Sequence, residues 1–240
     1  MCDTCGCGQN EQLHNDLFPA ENKRLVEVKQ SVLRENRDVA GINREFFRAR
    51  DIICINLVSS PGSGKTSLLE RTIRELQPFL PLAVIEGDQQ TSRDSERIRK
   101  TGVLSYQINT GLGCHLDAKM IHEVITANPI PSNGVLFIEN VGNLVCPAMY
   151  DLGETKRAVI MSVTEGDDKP AKYPFMFHSS DMCVINKIDL LPYVDFSIDQ
   201  AVHDLQLIKP GIGVLYLSVK EGMGMEAWIS WIRSIKREKT

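Results

Sequence analysis

A mostly parallel α/β sheet with helices on both faces is predicted for this chain by three observations. From residue 51 onward, short apolar runs alternate with amphipathic helical stretches, the rhythm of successive β-α-β units. The apolar runs are nearly continuous rather than alternating, as in IICINLV (52–58), GVLFIEN (134–140) and MCVINK (182–187), which fits strands covered on both faces. A glycine-rich turn, SSPGSGKT (59–66), lies between the first strand and the first helix. A length of 240 residues suits one such domain with an appendage.

The elements follow in order. Residues 1–20 are polar, cysteine-rich and without periodicity, and read as a flexible tail. Residues 21–50 form a helical lead-in that packs on the main domain. Leu25, Val28, Val32 and Leu33 fall at helical spacing, and the stretch from Asn36 to Gly41 is expected to break the lead-in into two helices, the second carrying Ile42, Phe46 and Phe47. Residues 51–240 are the main domain. Strands are expected at 52–58, 81–88, 103–108, 134–140, 156–164, 182–187 and 213–219, and helices at 66–76, 116–127, near 197–208 and at 223–236. The charged, proline-bearing segment EGDDKPAKYP (165–174) is expected to be an exposed loop.

Composition excludes several classes. A hydrophobic content of 42% and a charged content of 24% are ordinary for a globular protein. The formal net charge of −4 gives no basic footprint for nucleic acid. No apolar run reaches the length of a membrane span, and the N-terminus has no apolar signal core, so a cytoplasmic location is the expectation. Seven cysteines, odd in number and clustered at one end, point to metal or redox chemistry rather than a disulfide framework.

The strand–SSPGSGKT–helix context is that of a phosphate-binding loop. Gly62 and Gly64 let backbone N–H groups turn inward, with Ser63 between them. Lys65 brings a charge to the β- and γ-phosphates, the Thr66 hydroxyl suits Mg²⁺, and Ser67 continues the helix start. Ser59 stands where the motif has its first glycine, and a left-handed turn there would be strained. Downstream, NKID (186–189) ends a strand. There the Asp189 carboxylate can accept from guanine N1–H and its amine, Asn186 can reach the base edge, and the Lys187 stem can cover the ring. Ser218 and Lys220 of SVK (218–220) either close the base pocket or mark an ordinary strand end. Glu139 ends a strand as a metal-site acid does, and Gly142 can sense the γ-phosphate. Asp88 is either a Mg²⁺ or water-orienting acid or a turn residue. Lys65, Asp88 and Glu139 form the candidate catalytic set. Asn143 stands where many GTPases carry a water-orienting glutamine, so slow turnover is expected.

Two cysteine groups remain. Cys114 and His115 precede a helix, and Cys146 follows Glu139 by a short loop. They are either an open three-ligand site at the nucleotide edge of the sheet, completed by a partner subunit, or three unrelated residues. Cys54 and Cys183 lie inside apolar strands and read as buried hydrophobes. At the N-terminus, Cys2, Cys5 and Cys7 form C-x-x-C-x-C. These thiols, with the Cys2 amine if Met1 is removed, suit Ni²⁺, while Zn²⁺ and Cu⁺ also favour thiolates; a redox-active or incidental tail is the other reading.

Together CDTCGCG, SSPGSGKT, EGDQQT, GCHLDA, ENVGNLVCP, TEGDDKPAKYP and NKIDLLP resemble the hydrogenase nickel-incorporation GTPases (HypB). The resemblance implies a P-loop GTPase of the class that includes the signal-recognition-particle GTPases. It implies GTP/GDP and Mg²⁺ as cofactors, GTP-dependent homodimerisation, and delivery of nickel to the large subunit of [NiFe]-hydrogenase alongside nickel-accessory proteins. It assigns Cys2, Cys5 and Cys7 to a tight nickel site. Cys114, His115 and Cys146 fall to a second site that takes nickel or zinc, and Thr66, Asp88 and Glu139 to magnesium. A histidine-rich storage stretch is absent, which argues against bulk nickel storage. A urease-type or cobalamin-enzyme maturation GTPase is the alternative, and a small-molecule kinase is the runner-up from another class.

Overall fold

The structure, a computed structural model, describes residues 20–88, 93–111 and 113–237. The Cys2, Cys5 and Cys7 site falls outside them. The elements in chain order are α1 (Ala20–Ala49), β1 (Ile53–Ser59), α2 (Lys65–Leu76), β2 (Leu82–Asp88), α3 (Arg93–Arg99), β3 (Leu104–Asn109), α4 (Ala118–Ala127), β4 (Val135–Glu139), β5 (Lys156–Ser162), α5 (Lys169–Lys172), α6 (Pro174–Ser179), β6 (Met182–Asn186), α7 (Ile198–Ile208), β7 (Gly213–Tyr216) and α8 (Met225–Arg237). Short 3₁₀ helices span Cys146–Met149 and Ile188–Tyr193.

The seven strands form one sheet in the order β3-β2-β4-β1-β5-β6-β7, every neighbouring pair parallel. β1, β2, β4, β5 and β6 are buried almost throughout, whereas the edge strand β3 alternates between exposed and half-buried positions. On one face, α2 and α8 pack Leu69, Ile73, Trp228 and Ile232 against β1 and β4. Trp228 Nε1 donates to Thr72 Oγ1 (2.8 Å), which ties α8 to α2. On the other face, Phe47 of α1 and Ile121 and Ile125 of α4 pack on β2 and β4, and Met176, Phe177 and Leu205 cover β5 and β6. No described helix is long and apolar enough to cross a membrane.

Four expectations are corrected. α1 is one continuous helix through residues 36–41, because Asn36 and Asn43 spend their amides on other elements rather than on breaking their own. Asn36 Nδ2 donates to Asp151 O and its Oδ1 accepts from Ala118 N–H, both at 2.8 Å. The segment 165–174 is largely half-buried rather than exposed: α5 and α6 fold it back, and Pro170 is buried. β7 ends at Tyr216, and Ser218 pairs instead with Met223 in an isolated bridge. Ser59 is the last residue of β1, in register with Ile160, and is not among the residues with positive φ. No left-handed turn is required of it, so serine there is unstrained.

Candidate functional site

In an open parallel sheet, ligands bind beyond the carboxyl ends of the strands where the chain order reverses. Here that point lies between β1 and β4. A cavity of about 550 Å³ opens there, lined by the loop 59–67, Asp88, Glu139, Gly142 and Lys187.

The loop is shaped by its glycines. Gly62 (φ 78°) and Gly64 (φ 96°) are both left-handed, and a Cβ on Gly64 would lie 2.4 Å from Asn186 Nδ2. No side chain caps α2 at Gly64, so its first N–H groups face the cavity as an anion site. Lys65 Nζ (2.9 Å) and Thr66 Oγ1 (2.5 Å) both donate to Glu139 Oε1. Glu139 is only 4% exposed. Its Oε2 is buried and has no hydrogen-bond partner among the described residues, an expensive arrangement unless a donor or cation is meant to reach it. Asp88 lies half-buried on the same cavity wall. Gly142 lies against the loop: a Cβ there would meet three atoms of Pro61 at 3.3 Å.

The base-side residues are wired to the loop. Asn186 Nδ2 donates to Ser63 O (2.9 Å) and Lys187 Nζ to Gly62 O (2.7 Å). Lys187 itself is left-handed (φ 62°), a conformation a non-glycine residue adopts at some cost. Ser218 Oγ donates to Asp189 Oδ1 (2.6 Å), fixing the carboxylate. Lys220 is not brought to this group; its ammonium is exposed and pairs with Glu221 at 3.2 Å.

Cys114 and His115, neighbours in sequence, converge with the distant Cys146. Their ligand atoms all lie within 4.8 Å of one another, and each residue is half-buried. The two sulfurs are 2.8 Å apart, and Cys114 Sγ is 3.7 Å from His115 Nδ1. The ring of His115 stacks on Tyr150, with centroids 3.9 Å apart and planes at 26°. Burial pushes the His115 pKa down against the pull of Asp117, which favours the neutral imidazole that binds metals. The Cys146 thiol is pushed up, chiefly by its hydrogen bond with Cys114 and then by burial, while Asn143 favours its thiolate. Two thiolates and an imidazole form a soft donor set suited to nickel or zinc. Cys54 and Cys183 are fully buried, as expected, and burial pushes the Cys183 thiol well above its ordinary value.

Two residues at the site, Arg97 and Glu165, were assigned no role from the sequence. Arg97 Nη2 donates to Ser67 Oγ (3.1 Å) and Glu70 Oε2 (2.9 Å) beside the cavity. Glu165 accepts from the Ser60 hydroxyl of the loop. Asn143 lies off the cavity wall; its Oδ1 accepts from Val145 N–H (2.7 Å) and shapes the turn into Cys146.

Comparison with known proteins gives a consistent set. The family profile described as CobW/HypB/UreG, nucleotide-binding domain, matches residues 53–215. The hydrogenase maturation factor HypB of Azotobacter vinelandii is 52% identical over 209 residues, covering 87% of this chain and 69% of the relative. The protein of the same name from Escherichia coli (strain K12) is 49% identical over 212 residues, covering 88% of this chain and 73% of the relative. Among solved structures, HypB from Helicobacter pylori in complex with nickel superposes with a TM-score of 0.80 at 38% identity, covering 85% of this chain and 96% of that one.

Proposed function

The chain belongs to the CobW/HypB/UreG family of nucleotide-binding proteins, and within it to the hydrogenase maturation factors called HypB; from that premise we propose that it is a GTP-hydrolysing nickel chaperone whose phosphate site and nickel site are joined by one loop. The observation that carries this reading is the run from Glu139, bonded to Lys65 and Thr66, to Cys146, whose sulfur is 2.8 Å from Cys114.

GTP binds with its phosphates on the N–H groups of the loop 62–66 and on Lys65. Asp189, held by Ser218, accepts from the guanine edge and rejects adenine, which offers no matching donors. Arriving phosphate oxygens compete with Glu139 for the Lys65 ammonium. Thr66 and Glu139, with its unpartnered Oε2, and Asp88 beside them offer the hard oxygen donors that Mg²⁺ prefers. When bound, Mg²⁺ would neutralise charge on the phosphates. Water attacks the γ-phosphorus and the bond to the bridging oxygen breaks, giving GDP and phosphate. The Asn143 side chain is engaged with Val145 N–H rather than poised over that water, which accords with slow turnover.

Nickel is the cargo. Cys114, His115 and Cys146 hold it from one chain, and a second copy completes the shell in a GTP-dependent homodimer. Zinc suits the same donors. Cys2, Cys5 and Cys7 supply a separate thiolate site. The recipients are the hydrogenase large subunit and the nickel-accessory proteins of the same pathway, in the cytoplasm.

The test is a nickel titration of the full chain with Cys2, Cys5 and Cys7 replaced by Ala, read through thiolate-to-nickel charge transfer. It is run with GDP and with a non-hydrolysable GTP analogue. One nickel-dependent signal is expected, lost in Cys114→Ala and in Cys146→Ala, with nickel dissociation constants that differ about tenfold between the two nucleotides. Equal affinities in both nucleotide states would defeat the coupling.

A further inference from the structure

Behind the Cys114–His115–Cys146 cluster, buried polar side chains form an unbroken hydrogen-bonded relay. Asn140 directly follows Glu139. Its Oδ1 accepts from Val141 N–H (2.9 Å) and, across to the neighbouring segment, from Leu116 N–H (3.4 Å). Its Nδ2 donates to Asn56 Oδ1 on β1 (3.3 Å), and Asn56 Nδ2 donates to Glu154 Oε1 (3.1 Å). The same oxygen of Glu154 accepts from Arg157 Nε (2.9 Å) and Nη2 (2.6 Å). Arg157 also donates to Tyr150 O (2.8 Å) and Ala148 O (3.4 Å). Asn56, Asn140 and Arg157 are 0%, 1% and 5% exposed. Groups buried this deeply are tolerated because they satisfy one another, and a satisfied buried network is stiff.

The relay's two ends touch the two segments that carry the cluster. Leu116 adjoins His115. Ala148 lies in the 3₁₀ turn that begins at Cys146, and Tyr150 stacks on His115. The covalent path from Glu139 to Cys146 runs through an irregular loop. The path through Asn140 is one residue and one hydrogen bond to the His115 segment. At 3.4 Å the bond from Leu116 is longer than an ordinary N–H···O contact and is the weak link of the relay, so a displacement of Asn140 can break it.

We propose that Asn140 is the positioning residue through which Glu139 sets the relative placement of the Cys114–His115 and Cys146 segments, acting through Asn56 on the Glu154–Arg157 pair. This rests on the reading that nucleotide state and nickel affinity are coupled. When phosphate draws Lys65 away from Glu139, Asn140 moves with its neighbour. The bond to Leu116 and the bond to Asn56 then change together, and both ligand segments respond. If the loop alone carried the signal, the nickel affinity ratio between nucleotide states would be indifferent to Asn140.

The experiment compares Asn140→Ala and Asn56→Ala, each in the full chain with Cys2, Cys5 and Cys7 replaced by Ala, using nickel alone as the probe. Nickel dissociation constants are measured by charge transfer with GDP and with the non-hydrolysable GTP analogue. The expected result is that the GDP-to-analogue ratio, about tenfold in the parent, falls to within about twofold of unity in both variants. Should Asn140→Ala not fold, Asn56→Ala breaks the relay one link further on and carries the test. A parent ratio retained in either folded variant overturns the proposal, and so does a drop in nickel affinity that is equal in both nucleotide states, the mark of a merely structural role. A parent ratio of one defeats the functional reading itself, so the two failures are told apart.

Discussion

The Glu165 carboxylate accepts the Ser60 hydroxyl through Oε2, with Lys169 Nζ 3.9 Å away, while Oε1 is buried and has no partner among the described residues. Burial is the largest influence on it and pushes its pKa up; Ser60, Lys169 and Lys187 pull the other way without cancelling that push. A carboxyl whose pKa is higher folded than unfolded binds its proton more tightly in the native state. Its contribution to stability is therefore fully present below the unfolded carboxylate range and is lost as pH rises through the folded value. Glutamine at this position keeps an acceptor for Ser60 and carries no charge. Glu165→Gln is expected to raise Tm by about 1–3 °C at pH 7.5, with the gain shrinking toward pH 4, where the native glutamate is already protonated. Calorimetry at the two pH values decides the matter: an equal gain at both would assign the effect to packing rather than to charge. Other residue-scale features were readable in the sequence because local chemistry alone fixes them, as with the left-handed glycines of the phosphate loop and the buried thiols of Cys54 and Cys183. Glu165 was not, because its environment is made by a helix that folds back over it.

At the scale of elements, α1 shows how tertiary contacts override local preference. Asparagine in a helix interior competes with the backbone and argues for a break. Here Asn43 is fully buried, its Nδ2 donating to Ala118 O (2.8 Å) and Leu152 O (3.1 Å), and its Oδ1 lying 3.0 Å from His122 Nδ1. Ala118 follows the Cys114–His115 segment and Leu152 follows Tyr150, so one side chain of the lead-in clamps the far ends of both ligand segments. Asn43→Ala leaves two buried carbonyls without this donor and is expected to cost about 1–3 kcal/mol, read as a lowered midpoint in urea denaturation, with weakened nickel binding at the Cys114 site. Unchanged stability would mean that α1 merely rests on the domain. The central strands were legible because burial on both faces leaves nearly unbroken apolar runs. α5 and α6 were not, since they are short and rich in proline and charge, and tertiary contacts with α7, the 3₁₀ turn at Cys146 and β5 fold the segment inward.

On the scale of the whole molecule, the sheet brings a phosphate cavity and the Cys114–His115–Cys146 cluster to one edge; the loop motif pointed to the first, whereas spacing left the second open and only the resemblance to HypB assigned it. What the motifs do not encode is how the edge is covered. Three protein ligands leave a four-coordinate ion one position short. Val145 and Met149, on either side of Cys146, are each 55% exposed, an apolar rim around a site that needs a fourth donor. In the homodimer proposed above, a second copy set against this edge would supply both the donor and the cover, and because the rim follows directly from Glu139 along the chain, its shape would track the phosphate site. The chain is therefore expected to sediment as a dimer with nickel, Mg²⁺ and the non-hydrolysable GTP analogue, and as a monomer with GDP. Val145→Asp, a change at an exposed side chain, places a charge in the apolar rim and should weaken the dimer by about tenfold or more, since a buried unpaired charge opposes association. Sedimentation velocity across a concentration series measures this. A monomer under every nucleotide condition would remove the second copy from the nickel site and leave solvent to fill the fourth position.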